Sequence, residues 1–160
     1  MADVTDISQR GPAPTGSQRL TVFMAVNDCA KAIEFYTDVF GAEVVDRFEG
    51  PDGSVPHADL RLGGCVLQVG DPSPSMGLVA PPAEGNNFTL TFWTSDVDAV
   101  FAKAVDRGAT VLSEVDDVFS GDRMGLVRCP FGIRWNISRH DRDVPAEEIH
   151  AAVDAWLANQ

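Results

Sequence analysis

The stretch GDRMGLVRCPFGIRWNIS, residues 121–138, carries the clearest structural pattern in the chain. We interpret its two halves, GDRMGLVRC and IRWNIS, as strands of a β-hairpin around Gly132. An earlier stretch has the same form, since HADLRL and CVLQVG read as strands joined at Gly63-Gly64. Gly64 and Gly132 are 68 residues apart, which indicates that one structural pattern occurs twice in the chain.

The elements before each hairpin repeat at nearly the same spacing. LTVFMAVND and FTLTFWTSD are predicted strands that end at Asp28 and Asp96, again 68 residues apart. Asp28 is predicted to cap a helix with an apolar face that ends at Gly41, and the matching helix ends at Gly108. Each unit is therefore predicted to be β-α-β-β-β, which is too short to cover both faces of its own sheet. We predict an α+β fold in which two βαβββ modules form one curved eight-stranded mixed sheet with a concave cleft and outer helices.

The predicted domain boundaries follow from this repeat. The N-terminal segment is polar and rich in Gly, Pro and Ser, which is typical of a disordered leader. The C-terminal segment predicts a helix whose apolar stripe packs either on its own domain or on a second subunit. The predicted segments are a leader (1–19), the first module (20–70), a Pro- and Gly-rich linker (71–86), the second module (87–139) and a helical tail (140–160).

Composition excludes several classes of function. The 160 residues carry a net charge of −12, which repels phosphate backbones and argues against nucleic-acid binding. No apolar run approaches the ~20 residues that a membrane-spanning helix needs. Cys29, Cys65 and Cys129 are widely spaced and odd in number, so we predict reduced thiols in a cytoplasmic protein.

Residues 121–138, together with AIEFYTDVFGAEVVDRFEGPDGSVPHADLRLGG (32–64), resemble the vicinal oxygen chelate superfamily. That superfamily includes glyoxalase I, extradiol dioxygenases, fosfomycin-resistance enzymes and bleomycin-binding proteins. The closer similarity is to its PhnB-like branch, whose signature is Gly-Asp-Arg-x-Gly followed by Asp-Pro-Phe-Gly-x-x-Trp, with Cys129 in place of the usual Asp. The resemblance covers residues 20–150 and implies the fold and a homodimer. It does not imply one reaction, because the superfamily hosts many.

The resemblance also implies where a metal would bind. In metal-dependent members each module supplies one ligand from its first strand and one from its last strand. These positions correspond here to two hydroxyls and two neutral amides, which supply neither a strong donor nor a negative charge to a divalent ion. We therefore predict no metal site and no cofactor. The four residues are Thr21, Gln68, Thr89 and Asn136, and they can instead hydrogen-bond an organic ligand, although Asn136 could equally bond only to a neighbouring strand.

Strand alternation extends the predicted concave face beyond these four positions. Phe23 and Trp93 would form aromatic walls, and Thr91 would lie on the same inward face. This combination suits a flat, partly polar organic molecule. A buried, structural Trp93 is the alternative.

Ionisable residues on the same face offer possible chemistry. His57 next to Asp59 would suit an oriented general base, with Arg61 or Arg134 stabilising a developing oxyanion. For His57, Asp59 and Arg61, however, the sequence favours a surface cluster over a catalytic group. Arg123 matches the branch signature and would lie either at the mouth of the cleft or in an ion pair with Asp117 or Asp122.

These observations favour a homodimer that binds a small, partly aromatic organic molecule in its cleft without a metal, for sequestration or resistance. If the protein is an enzyme, the alternative is a metal-independent, glyoxalase-like lyase or isomerase that acts on a carbonyl substrate through His57. A metal-dependent glyoxalase or dioxygenase would require the ligand positions to be shifted in register.

Overall fold

A computed structural model describes residues 20–159, so the predicted leader lies outside the described residues. The chain divides into two compact units, Met1–Ala80 and Pro81–Gln160, and the boundary falls inside the predicted linker. Within residues 20–159, no helix is long and apolar enough to cross a membrane.

The first unit follows the predicted order of one strand, one helix and three strands. Its sheet has the order β1-β4-β3-β2, in which β1 runs parallel to β4 and the other neighbours are antiparallel. A short 3-10 helix, Pro74–Met76, follows the last strand. The elements are β1 (Val22–Ala25), α1 (Cys29–Phe40), β2 (Glu43–Phe48), β3 (His57–Leu62) and β4 (Cys65–Gly70).

Side-chain alternation along β3 separates the two faces of this sheet. Ala58, Leu60 and Leu62 are buried with the apolar face of α1, as alternation along a strand requires. His57 and Asp59 point to the opposite side and are half-buried. We call this side, which also carries Arg61, the first open face.

The start of α1 differs from the sequence-based prediction. Asp28 occupies the N-cap position with φ 55°, but its side chain makes no capping hydrogen bond and pairs instead with Lys31. The carboxylate that binds the helix start is Asp71, whose Oδ1 accepts the Cys29 N–H at 2.9 Å. Its Oδ2 accepts the Val55 N–H at 2.6 Å, so one side chain joins the helix, the approach to β3 and the end of β4.

The second unit repeats this arrangement and adds a C-terminal helix. Its sheet has the order β5-β8-β7-β6, again with one parallel pair, β5 with β8. The elements are β5 (Leu90–Trp93), α2 (Val97–Asp106), β6 (Thr110–Asp117), β7 (Asp122–Arg128), β8 (Arg134–His140) and α3 (Ala146–Leu157). Residues 20–159 therefore form two four-stranded mixed sheets and three α-helices. One continuous eight-stranded sheet stays a prediction.

Helix α2 covers one side of the second sheet. Phe101 of α2 packs so closely on Gly125 that a Cβ there would lie 2.6 Å from the ring. Val127, Trp135 and Ile137 are buried on the same side. We call the opposite side, which carries Thr91, Trp93 and Asn136, the second open face.

Helix α3 has no buried residue that packs against the second sheet. All twelve of its residues are described, and none of them is buried. Trp156, in the predicted apolar stripe, is 56% exposed. The other two residues of the predicted stripe, Ile149 and Val153, are half-buried. The stripe is therefore only partly covered within the chain, and contact with a second subunit stays a prediction.

Candidate functional site

The first open face carries a hydrogen-bonded chain of three side chains. His57 Nε2 lies 3.0 Å from Asp59 Oδ1, and Gln68 Nε2 donates to the same oxygen over 2.9 Å. The register explains this contact, because Asp59 lies directly opposite Gln68 where β3 pairs with β4. An ionised carboxylate only accepts hydrogen bonds, so this bond assigns the ring proton to Nε2 and leaves Nδ1 of a neutral His57 as an acceptor.

Two phenylalanine rings flank the imidazole of His57. The Phe23 ring centroid lies 5.8 Å from that of His57, and the Phe48 centroid lies 5.9 Å away. Phe48 is 55% exposed, so this aromatic surface is open to a ligand. Sequence analysis missed Phe48, although the pairing of β2 with β3 places it directly opposite His57.

Two other predicted residues lie at the margins of the first open face. Thr21 is half-buried and immediately precedes β1. Arg61 is exposed, and its Nη1 lies 3.1 Å from Glu43 Oε2 on β2. The Arg61 guanidinium is therefore already paired with a carboxylate.

The second open face combines an exposed indole with neutral polar groups. Thr91 lies opposite Asn136, and Trp93 lies opposite Ser138, in the parallel pairing of β5 with β8. Trp93 is 56% exposed, so it is not the buried structural residue of the alternative prediction. Thr89 is exposed and immediately precedes β5.

Two polar atoms on this face have no partner in the described residues. Asn136 Oδ1 and Ser138 Oγ are both buried and form no hydrogen bond. Ser138 is only 1% exposed, and its neighbours Trp93 and Met124 place it on the second open face. Leaving such an atom unsatisfied costs about 1–3 kcal/mol, so each calls for a water molecule or a ligand. A bond from Asn136 to a neighbouring strand, the alternative prediction, is not observed.

The two predicted arginines of the second unit lie on opposite sides of its sheet. Arg123 lies on the α2 side, where its Nη2 is 2.7 Å from Asp98 and its Nη1 is 3.0 Å from Asp117. The hydrogen bond to Asp98, and then that to Asp117, raises the pKa of Arg123. Arg134 is half-buried on the second open face, directly opposite Arg128. Sequence analysis missed Arg128, although the predicted hairpin around Gly132 already sets these two arginines side by side.

The residues at the four family positions do not fit a divalent metal ion. Thr21, Thr89 and Asn136 supply neutral oxygens, and the Gln68 amide already donates to Asp59. In the described part of the chain, no group of three or more His, Cys, Asp or Glu side chains is placed to hold a metal. The donor chemistry therefore favours an organic ligand over a cation.

A shallow cavity of about 480 Å³ lies at the ends of β5 and β8, lined by Trp93, Thr94, Ser95, Arg139 and His140. His140 Nδ1 lies 2.7 Å from Asp122, and its Nε2 lies 2.9 Å from Asp143. The hydrogen bond to Asp122, followed by that to Asp143, raises the pKa of His140. Only the doubly protonated ring can donate to both carboxylates, so protonation of His140 makes this cluster an ion-paired unit at the edge of the cavity.

Comparisons with known proteins identify the family and similar folds. A family profile described as "Glyoxalase/Bleomycin resistance protein/Dioxygenase superfamily" matches residues 18–137. An uncharacterized protein of Mycobacterium bovis is 38% identical over 140 residues, which cover 85% of this chain and 92% of the relative. The crystal structure of TioX from Micromonospora sp. ML1 matches with a TM-score of 0.59 and 29% identity over 78% of this chain and 99% of that chain. A PhnB protein from Bacillus cereus matches in fold, with a TM-score of 0.59 and 23% identity over 76% of this chain and 99% of that chain.

Proposed function

The chain belongs to the glyoxalase/bleomycin resistance protein/dioxygenase superfamily, and from this membership we propose that it binds a small, partly aromatic organic molecule without a metal ion. The observation that carries the proposal is the donor set of the open faces. Hydroxyls and amides stand at the family's ligand positions, and Asn136 Oδ1 is buried without a partner among the described residues. Such groups recognise an organic molecule through hydrogen bonds.

The proposal includes a shared cleft and a dimer. We propose that the two sheets join in one curved eight-stranded sheet whose concave side is formed by the open faces. Exposed aromatic rings on both faces, Phe48 and Trp93, support a ligand with an aromatic part. The exposed apolar residues of α3, Trp156 and Leu157, support a homodimer in which a second copy covers them. We propose sequestration of this molecule in the cytoplasm, because that role requires binding but no catalysed reaction.

Tryptophan fluorescence tests the binding proposal. Aromatic metabolites and antibiotics that bind should quench Trp93, and Trp93→Ala should weaken their binding by on the order of 1–3 kcal/mol. Phe119→Ala is the matched control, because Phe119 is also an exposed aromatic residue and lies in the turn between β6 and β7 rather than on an open face. Equal effects of the two variants on affinity would contradict a ligand on the second open face.

Metal analysis of the purified protein tests the other part of the proposal. We expect no stoichiometric divalent metal, and we expect ligand affinity to stay unchanged after treatment with a chelator. Bound metal whose removal abolishes ligand binding or turnover would show that a metal-dependent glyoxalase or dioxygenase is the correct interpretation.

The hydrogen bond between His57 and Asp59 favours a second candidate, a metal-independent lyase or isomerase. In this reaction Nδ1 of His57 takes a proton from the carbon next to a carbonyl group. The electrons of the broken C–H bond move to the carbonyl oxygen, and Arg134 is the proposed partner of the resulting enolate.

Substitution of His57 separates this candidate from simple binding. His57→Gln should abolish turnover of a carbonyl substrate, whereas the affinity of the protein for that substrate should change only a few-fold. His150→Gln is the control, because His150 is exposed on α3. Turnover that survives His57→Gln would exclude His57 as the base.

A further inference from the structure

We infer that Arg128 and Arg134 form an anion site on the second open face, which binds the carboxylate of an aromatic ligand. This inference rests on the proposed function and specifies its ligand. It concerns one hairpin of the second unit, β7 and β8, so its geometry lies within a single sheet.

The two arginines are direct cross-strand neighbours. Arg128 ends β7 and Arg134 begins β8, and they face each other in the antiparallel register. Residues in such pairs have Cβ atoms about 4.5–5.5 Å apart on the same side of the sheet, and like charges there repel each other. An anion between the two guanidinium groups would remove this repulsion.

Neither arginine has a carboxylate partner in the part of the chain that the structure describes. Arg128 makes one long hydrogen bond, from Nη1 to the Ala83 carbonyl at 3.4 Å. The Nε atoms of both Arg128 and Arg134 are buried and form no hydrogen bond. The contrast within the molecule is clear, because carboxylates lie within 3.1 Å of Arg47, Arg61, Arg123 and Arg139.

The lack of a described carboxylate partner for Arg128 and Arg134 is unexpected in a chain with this composition. The sequence has 24 acidic and 12 basic residues, so carboxylates are abundant. Two half-buried guanidinium groups that none of the described carboxylates approaches offer several N–H donors to an external group. Planar guanidinium groups bind carboxylates in a bidentate manner, which a single ammonium group does not reproduce.

Asn136 specifies the rest of the ligand. It lies two residues beyond Arg134 on the same face, about 7 Å along the strand. Its buried Oδ1 accepts no hydrogen bond from the described residues, so a donor group of the ligand can bind there. Leu126, directly opposite Asn136, gives this part of the face an apolar side chain on which a ring can lie. A benzoate with a hydroxyl or amino group in the para position spans a similar distance. We therefore assign the ligand to the class of donor-bearing aromatic carboxylates.

The test uses the full chain and a matched pair of probes, 4-hydroxybenzoate and 4-hydroxybenzamide, which differ in charge at one end. Affinities are measured by titration calorimetry and by Trp93 fluorescence. We expect the carboxylate to bind about tenfold more tightly or better, because the amide keeps one acceptor oxygen but lacks the negative charge and the second acceptor. Rising salt should weaken the binding of the carboxylate more than that of the amide.

Arginine variants complete the test. Arg134→Gln and Arg128→Gln should each bring the affinity for the carboxylate close to that for the amide, and Arg134→Lys should restore part of the difference. Arg142→Gln removes one positive charge after the end of β8 and should leave the difference unchanged. Circular dichroism identifies any variant that fails to fold, in which case the other arginine variant decides the outcome.

The results also separate this inference from the proposed function. If both probes bind equally well and both glutamine variants bind them like the wild type, the anion site is refuted while ligand binding stands. If no aromatic probe, charged or neutral, binds in a manner that depends on Trp93, both the anion site and the proposed function are refuted.

Discussion

Replacing Asp71 with alanine should lower the free energy of unfolding by about 3 kcal/mol, because one side chain satisfies two buried N–H groups. Its Oδ1 accepts from Cys29 at 2.9 Å and its Oδ2 accepts from Val55 at 2.6 Å. Cys29 and Val55 are both 0% exposed, so water is poorly placed to replace the lost acceptor. A hydrogen bond to a charged group contributes about 1.5–3 kcal/mol, and the partial exposure of Asp71 favours the lower end for each bond.

Urea denaturation followed by circular dichroism measures this loss. Asp71→Asn keeps one acceptor oxygen but turns an NH2 donor towards the other N–H, so it should also be destabilised, by less than the alanine variant. Asp28→Asn is the control, because Asp28 makes no capping hydrogen bond and asparagine tolerates its φ of 55°. The control should remain close to the wild type. The reasoning is refuted if Asp71→Ala unfolds like the wild type, or if Asp28→Asn is the more damaging change.

Two further predictions concern titration and thiol reactivity. The hydrogen bond to Asp122 raises the pKa of His140 above its usual value of 6.5. Protonated His140 should therefore stabilise the folded protein fully below pH 6.5, and this contribution to the free energy of unfolding should disappear as the pH rises through the raised pKa. Thermal melts of the wild type and His140→Gln should therefore converge at high pH, and an NMR titration of the ring should show a lower pKa in Asp122→Asn. An aromatic disulfide reagent should modify the exposed Cys65 in the native protein, whereas burial raises the pKa of the Cys29 thiol to about 12 and should delay its reaction until unfolding.

Strong local signals account for the parts of the fold that the sequence predicts well. The hairpin of β3 and β4 was predicted at the same residues that the structure shows, His57–Leu62 and Cys65–Gly70. Gly63 and Gly64 both have positive φ, which glycine adopts at low cost, so the turn is encoded locally. Alternation then determines which side chains of each strand share a face.

Contacts between distant segments account for what the sequence did not predict. Asp71 lies 42 residues from Cys29, and nothing in its own neighbourhood indicates that it binds the start of a helix. The pair of Arg123 and Asp98 likewise depends on how α2 packs on β7, over a separation of 25 residues. The pairing of Arg128 with Arg134 does not depend on distant segments. The register of the predicted hairpin is sufficient to place these two residues opposite each other.

The two modules differ in how they use equivalent amides, and this difference indicates where ligand recognition should be concentrated. Gln68 donates to Asp59, which lies opposite it on the neighbouring strand. Asn136, 68 residues later, faces Leu126 at the corresponding place, and its oxygen lacks a partner among the described side chains. A ligand that bonds to Gln68 must share an amide that already has a partner, whereas one that bonds to Asn136 satisfies an oxygen that none of residues 20–159 satisfies. Because each face exposes an aromatic side chain, Phe48 on the first and Trp93 on the second, the hydrogen-bonding gain should make the second module the main source of specificity.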